Sequence, residues 1–188
     1  MYPDFNDIGL LIIDVQERLV PAMPQDVVSK LIRNIDLLAE LVLEYEGSVV
    51  YSEQYPKGLG RTVEPLLARL SKAQRFEKIS FSCLGEETFA QQILPTLPSQ
   101  LIVVGMETHV CVLQTIMDLV AEGFEDDDSV NLFVPVDAVC SRSKLNWQNA
   151  LDQMADLGIT LTNTETLIFQ ALGDARHERF KHYSQRLR

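Results

Sequence analysis

Short apolar runs alternate with stretches of helical periodicity along this chain of 188 residues. GLLIIDV (9–15) is almost continuously apolar, the pattern of a strand buried on both faces. Residues 26–45 then set Val27, Leu31, Ile35, Leu38 and Val42 at helical spacing, and Gly47 supplies a stop just past them. SVVYSEQ (48–54) predicts a second strand, and YPKGLGRT, with one Pro and two Gly, a loop. RFEKISF (75–81) predicts a third strand, and EETFAQQILPTL (86–97) a helix that ends or kinks near Pro95. LIVVGM (101–106) predicts a fourth strand, followed by a helix over HVCVLQTIMDLVAEG. NLFVPVDAV (131–139) predicts a fifth, although Pro135 speaks against a central place in the sheet. Residues 145–157 read as helix, GITLTN (158–163) as a short last strand, and TETLIFQALG as a helix ending at Gly173. The polar tail reads as an amphipathic helix or a mobile end.

Strands separated by helices imply parallel pairing through right-handed crossovers. The expectation is one α/β domain over residues 1–188: three layers, α/β/α, around a Rossmann-like, mostly parallel sheet of about six strands. No repeat, linker or low-complexity tract interrupts it. The one charge run, EDDDS (125–129), reads as a solvated loop before the fifth strand.

The net charge of −11 argues against nucleic acid as a partner, because little here would neutralise phosphates, and equally against anionic membranes. No apolar stretch approaches the ~20 residues that span a bilayer, and the N-terminal residues carry acids rather than bases before their apolar run. The three cysteines, Cys83, Cys111 and Cys140, are widely spaced, which speaks against a disulfide framework or a zinc knuckle and for a reducing, cytoplasmic setting.

Ligands of open parallel sheets bind beyond the carboxyl ends of the strands, so polar residues at those ends are the candidates. Asp14 closes the first apolar run, and a carboxylate there needs a hydrogen bond or a cation, since burying it alone is costly. It is either a general base or an anchor for the next loop. Lys78, near the third strand end, is either its partner or a solvated surface residue. Cys111 follows the fourth strand in GMETHVCV. With Thr108 as N-cap it would sit at the third helical position, where the dipole and free N–H groups favour a thiolate and could receive an oxyanion. Read alone, it is equally a buried structural thiol. Cys83 and Cys140 read as structural, and His109, His177 and His182 as solvated. GxGxxG, GxxxxGK[ST] and GxSxG signatures are missing, and no His, Cys and carboxylate set has convincing metal-ligand spacing.

LLIIDVQ, the Lys of FEKISFSCL and VVGMETHVCV together resemble the isochorismatase-like cysteine hydrolases, a family of nicotinamidases, pyrazinamidases, N-carbamoylsarcosine amidases and isochorismatases. The resemblance runs from about residue 8 to about residue 173, and SEQYPKGLG and VPVDAVCSRS look most like the isochorismatase domain-containing subgroup. It implies a Cys111–Asp14–Lys78 triad, with Cys111 as nucleophile, Asp14 as its acid/base and Lys78 tuning both by charge. It also implies a non-proline cis peptide between Met106 and Glu107 that would aim the N–H groups of Glu107 and Cys111 at an oxyanion. Gln16, Glu53, Gln54, Tyr55 and Phe81 would line the substrate pocket; for Glu53, Gln54 and Tyr55 the alternative is ordinary loop packing. Nicotinamidase-type members hold a metal through an Asp and histidines after the second strand. SEQYPKGLGRT has no His, so no metal and no cofactor are expected, and nicotinamide is a doubtful substrate. The implied activity is hydrolysis of a small amide or related C–N bond through a thioester, in a homo-oligomer (a dimer or larger) that binds a small molecule. Enol ether hydrolysis of the isochorismatase type, or a non-catalytic scaffold role, would use the same fold.

Overall fold

The computed structural model describes residues 3–123 and 131–187; the EDDDS segment expected as a loop lies outside them. β1 (Ile8–Ile13) is buried along its whole length and forms the middle of the sheet. The chain then crosses α1 (Gln25–Glu44) to β2 (Ser48–Gln54), passes the short turns α2 (Pro56–Leu59) and α3 (Glu64–Leu67), and enters β3 (Gln74–Lys78). It returns to the other side of β1 as β4 (Gln100–Met106). α4 (Leu113–Gly123), β5 (Asn131–Pro135), the two-residue β6 (Val139–Cys140), α5 (Lys144–Asp156), β7 (Thr160–Thr162), α6 (Thr164–Leu172) and α7 (Phe180–Arg186) complete it.

The strand order is β3-β2-β1-β4-β5-β7, with β6 paired to the end of β4, and every pairing between these strands is parallel. The sheet has seven strands where about six were expected, the extra one being β6. Pro135 explains the difference. It is the last residue of β5, so its missing N–H falls where the ladder ends, and the apolar run 131–139 breaks into two strands around the turn at Asp137. β5 is nonetheless an inner strand, between β4 and β7.

Two apolar layers sandwich the sheet. One packs Leu10, Ile12, Ile102 and Val104 against α1, α6 and Tyr183 of α7. The other packs Leu11, Ile13, Val103 and Val134 against α4, α5 and Phe89. Each fully buried Leu, Ile or Val contributes roughly 1.5–3 kcal/mol from burial. On α1 the buried stripe is Val28, Leu31, Ile35, Leu38 and Val42; Val27, expected in it, is 42% exposed. The helix expected over 86–97 is instead a π-helical turn, Thr88–Ile93, followed by a single 3₁₀ turn, Leu94–Thr96, closed by Pro95. Phe89 anchors this irregular segment, its ring centroid 5.0 Å from that of Phe76 on β3.

The sequence leaves β1 toward β2 and β3 on one side and resumes at β4 on the other. β1 and β4 therefore flank the topological switch point, where the carboxyl ends of neighbouring strands open a crevice. Asp14 follows β1 there, and the turn bearing Cys111 follows β4. Gly105 allows β4 to come close enough. Its φ is +120°, and a Cβ at this position would collide with the Ile13 carbonyl oxygen and lie 2.7 Å from the Ile13 nitrogen.

Candidate active site

Asp14 is fully buried and adopts left-handed backbone geometry, φ 53°, a region Asp tolerates better than most residues. This turns the chain off β1 at its end. Ser52 Oγ, from the neighbouring β2, donates to Asp14 Oδ1 at 2.7 Å. Lys78 Nζ lies 2.7 Å from the other oxygen, Oδ2, with both side chains 0% exposed. That contact is an ion pair without good hydrogen-bond alignment, and Oδ2 has no aligned donor. Lys78 Nζ donates instead to Gln54 Oε1 at 2.6 Å, the Phe81 carbonyl at 3.0 Å and the Ser80 carbonyl at 3.3 Å. A buried ammonium needs this many acceptors. Burial pulls its pKa down, but the charge of Asp14 outweighs burial and leaves it raised.

Cys111 lies in a π-helical turn, Thr108–Val112, that leads into α4. The Met106–Glu107 peptide before it is cis. The N-cap is Glu107 rather than Thr108, so Cys111 is the fourth helical residue and not the third. Its side chain lies within the electrostatic reach of both Asp14 and Lys78. Burial pushes its thiol up to about 12; the charge of Asp14 adds to this and that of Lys78 opposes it. Burial therefore favours the protonated thiol over the preformed thiolate that a helix dipole alone suggests.

The expected pocket residues divide. Gln16 is fully buried, and its amide is spent on backbone: Nε2 donates to the carbonyls of Gln54 (3.0 Å) and Gly60 (2.7 Å), and Oε1 accepts from Gln54 N–H (2.8 Å). Glu53 is buried too, its carboxylate accepting from Thr62 N–H at 2.7 Å and Arg75 Nη1 at 2.5 Å. Both residues shape the loop after β2 and offer little to a ligand. Gln54 holds Lys78. Tyr55 and Phe81 are exposed, and Tyr55 shares a cleft of about 220 Å³ with Lys78 and Ile79.

Three roles were not assigned from sequence. Ser52, one of the polar residues at the end of β2, orients Asp14. Cys83, read as structural, is fully buried, and within the field of Lys78 and Asp14; burial pushes its thiol up to about 12. Its N–H donates to Thr115 Oγ1 at 3.0 Å, and that hydroxyl donates to the Cys111 carbonyl at 2.7 Å. His109, expected in solvent, is half-buried, with Nδ1 2.9 Å from Ser141 Oγ and Nε2 3.2 Å from Asn146 Nδ2. Among the described residues, no group of three or more His, Cys, Asp or Glu is placed to hold a metal ion, and no helix is long and apolar enough to cross a membrane.

Fold and site together define a three-layer α/β protein with a thiol, a carboxylate and an ammonium gathered at the switch point of a parallel sheet. The chain belongs to the isochorismatase family, whose domain model matches residues 9–166. It is 38% identical over 176 residues to isochorismatase domain-containing protein 1 of Salmo salar, an alignment covering 89% of this chain and 56% of that protein. With isochorismatase family protein 2A of Dictyostelium discoideum it shares 33% over 181 residues, 92% of this chain and 86% of the other. The chain spans 56% of the length of the first curated relatives it matches. Among solved structures, a Caenorhabditis elegans protein described as MAR1 ribonuclease superimposes with a TM-score of 0.82 at 32% identity, covering 100% of this chain and 92% of that one.

Proposed function

We propose that this isochorismatase-family protein is a metal-independent cysteine hydrolase that cleaves a small amide or related C–N bond. The observation that carries this reading is the buried Asp14 Oδ2, 2.7 Å from Lys78 Nζ and without an aligned hydrogen-bond donor, in a pair whose charges both act on the Cys111 thiol. In the proposed cycle, Oδ2 takes the Cys111 proton as Sγ attacks the carbonyl carbon. The high resting pKa of the thiol makes this transfer part of the attack. The N–H groups of Glu107 and Cys111 receive the oxyanion. The proton on Asp14 passes to the leaving nitrogen, the C–N bond breaks and a thioester remains. Asp14, again a carboxylate, deprotonates a water that attacks the thioester and releases the acid and the thiol. Lys78 stays charged throughout and keeps the carboxylate ionised between transfers.

The loop after β2 has no histidine, and this supports a reaction without a catalytic metal. A homo-oligomer is part of this reading; an Escherichia coli structural neighbour is described as an octameric hydrolase. Ribonuclease action, the description carried by the C. elegans structure, is the competing reading, and the net charge of −11 weighs against it.

The test is a panel of small primary amides, N-carbamoyl compounds, enol ethers and RNA, offered to wild type, Cys111→Ala and Asp14→Asn. Amide turnover by wild type, with an acyl adduct on Cys111 by mass spectrometry and loss of about 10³-fold or more in both variants, supports the reading. Cleavage of RNA or an enol ether that survives Cys111→Ala overturns it.

A further inference from the structure

The turn that carries Cys111 is tied to a second segment, the entry to α5. Arg142 donates twice to one oxygen of Glu107: its backbone N–H at 3.0 Å and its Nε at 3.0 Å, both to Oε2. The Glu107 side chain is 9% exposed, whereas that of Arg142 is 63% exposed. Two residues on, His109 is held between Ser141 Oγ and Asn146 Nδ2. Residues 107–109 are thus fastened to residues 141–146 by side chains from both segments, outside the helical ladder of the turn itself.

We infer that Arg142 is a positioning residue: by fixing the Glu107 carboxylate it fixes the peptide N–H on the same Cα, one of the two donors assigned to the oxyanion. This rests on the cysteine-hydrolase reading and deepens it. The Glu107 side chain and its N–H leave one Cα, so a carboxylate pinned by two donors restricts rotation of the peptide plane beside it. Arg142 acts from the surface and touches neither Asp14, Lys78 nor Cys111 in any hydrogen bond. Its effect is confined to steps that build negative charge on the substrate oxygen. Attack on a saturated carbon, which builds none there, is left alone.

The experiment compares two reactions of one thiol. 4-Nitrophenyl acetate acylates Cys111 through a tetrahedral oxyanion; iodoacetamide alkylates it without one. In Arg142→Gln the maximal acylation rate falls about 10- to 100-fold, while the half-saturating ester concentration and the alkylation rate each change less than about 2-fold. Both variants keep the backbone N–H; Arg142→Lys also restores a side-chain cation, and recovers acylation to within about 10-fold of wild type. Glu107→Gln shows the same split, and combining it with Arg142→Gln adds little further loss.

An Arg142→Gln protein that acylates at the wild-type rate overturns the inference and leaves the hydrolase reading standing. Equal losses in acylation and alkylation overturn it also, since they mean that the whole turn has moved. Should Arg142→Gln lose its cooperative unfolding transition, Arg142→Lys and Glu107→Gln carry the test with the same outcomes. A wild-type protein that is not acylated at Cys111 overturns the reading and the inference together.

Discussion

Lys78 Nζ and Asp14 Oδ2 stand 2.7 Å apart with neither side chain exposed, 64 residues apart in sequence (78 − 14) and joined by the register of three neighbouring strands. Their charges depend on each other. Removing one member leaves a buried, uncompensated charge, and such changes cost about 3–5 kcal/mol. Lys78→Met and Asp14→Asn are each expected to lower unfolding free energy by about that amount. The double variant is expected to recover at least about half of the loss, with turnover still absent. Urea denaturation of the four proteins measures this, and strictly additive losses would mean that the pair is not coupled.

Alkaline pH should expose the buried thiols. Burial pushes Cys83, Cys111 and Cys140 up to about 12 each, whereas an unfolded thiol titrates near ~8.5. Between those values the folded chain binds more protons than the unfolded chain, so stability falls as pH rises. Below ~8.5 the contribution is fully present. Each thiol can add a slope of at most about 1.4 kcal/mol per pH unit. Cys140 takes no part in the proposed chemistry, so Cys140→Ala isolates one share. Its unfolding free energy should drop less than that of wild type between pH 8 and 10, by roughly 1–2 kcal/mol. Parallel curves for the two proteins would refute the assignment.

Gln16 offers a test of loop architecture against ligand contact. Its amide joins three backbone groups, the Gln54 N–H and the Gln54 and Gly60 carbonyls, and no other side chain in the described residues makes those bonds. Gln16→Ala should cost about 2–4 kcal/mol through buried groups left unsatisfied. A loss below about 1 kcal/mol, with a raised KM for any substrate found, would return Gln16 to the pocket wall.

These residues also mark what the sequence makes legible. Continuous apolar runs such as LLIIDV and LIVVGM identify the inner strands because burial on both faces leaves no alternation to misread. Strand ends follow from them, and with them the neighbourhood of Asp14, Lys78 and Cys111. Side-chain direction does not follow. Gln16, Glu53 and Gln54 lie beside the same strand ends, yet the first two turn to backbone groups of the loop after β2, at Gly60 and Thr62, pairings that no spacing rule reveals. Helix 86–97 fails for another reason. Its periodicity is sound, but Pro95 removes an N–H and the packing of Phe89 on Phe76 selects a wider π-helical turn. The EDDDS expectation stays outside the described residues.

Gly105 sets the distance between the two strands that bear the thiol and the carboxylate. At φ +120° a side chain is strained whatever the space around it, and here the space is already filled by the Ile13 backbone of β1. Gly105→Ala must push β4 away from β1 or rotate the 105–106 backbone. Either change moves the Cys111 turn relative to Asp14. The expected cost is about 3–5 kcal/mol, at the severe end for a single methyl group. Gly158 provides the control: it too has positive φ, but nothing lies within 4 Å of a Cβ there. Gly158→Ala should carry only the conformational penalty, about 1–2 kcal/mol. Equal losses at the two sites, measured by urea denaturation, would show that the β1–β4 contact contributes nothing beyond local strain. A Gly105→Ala protein that kept its stability and still acylated Cys111 would show that the thiol and carboxylate do not depend on this close approach.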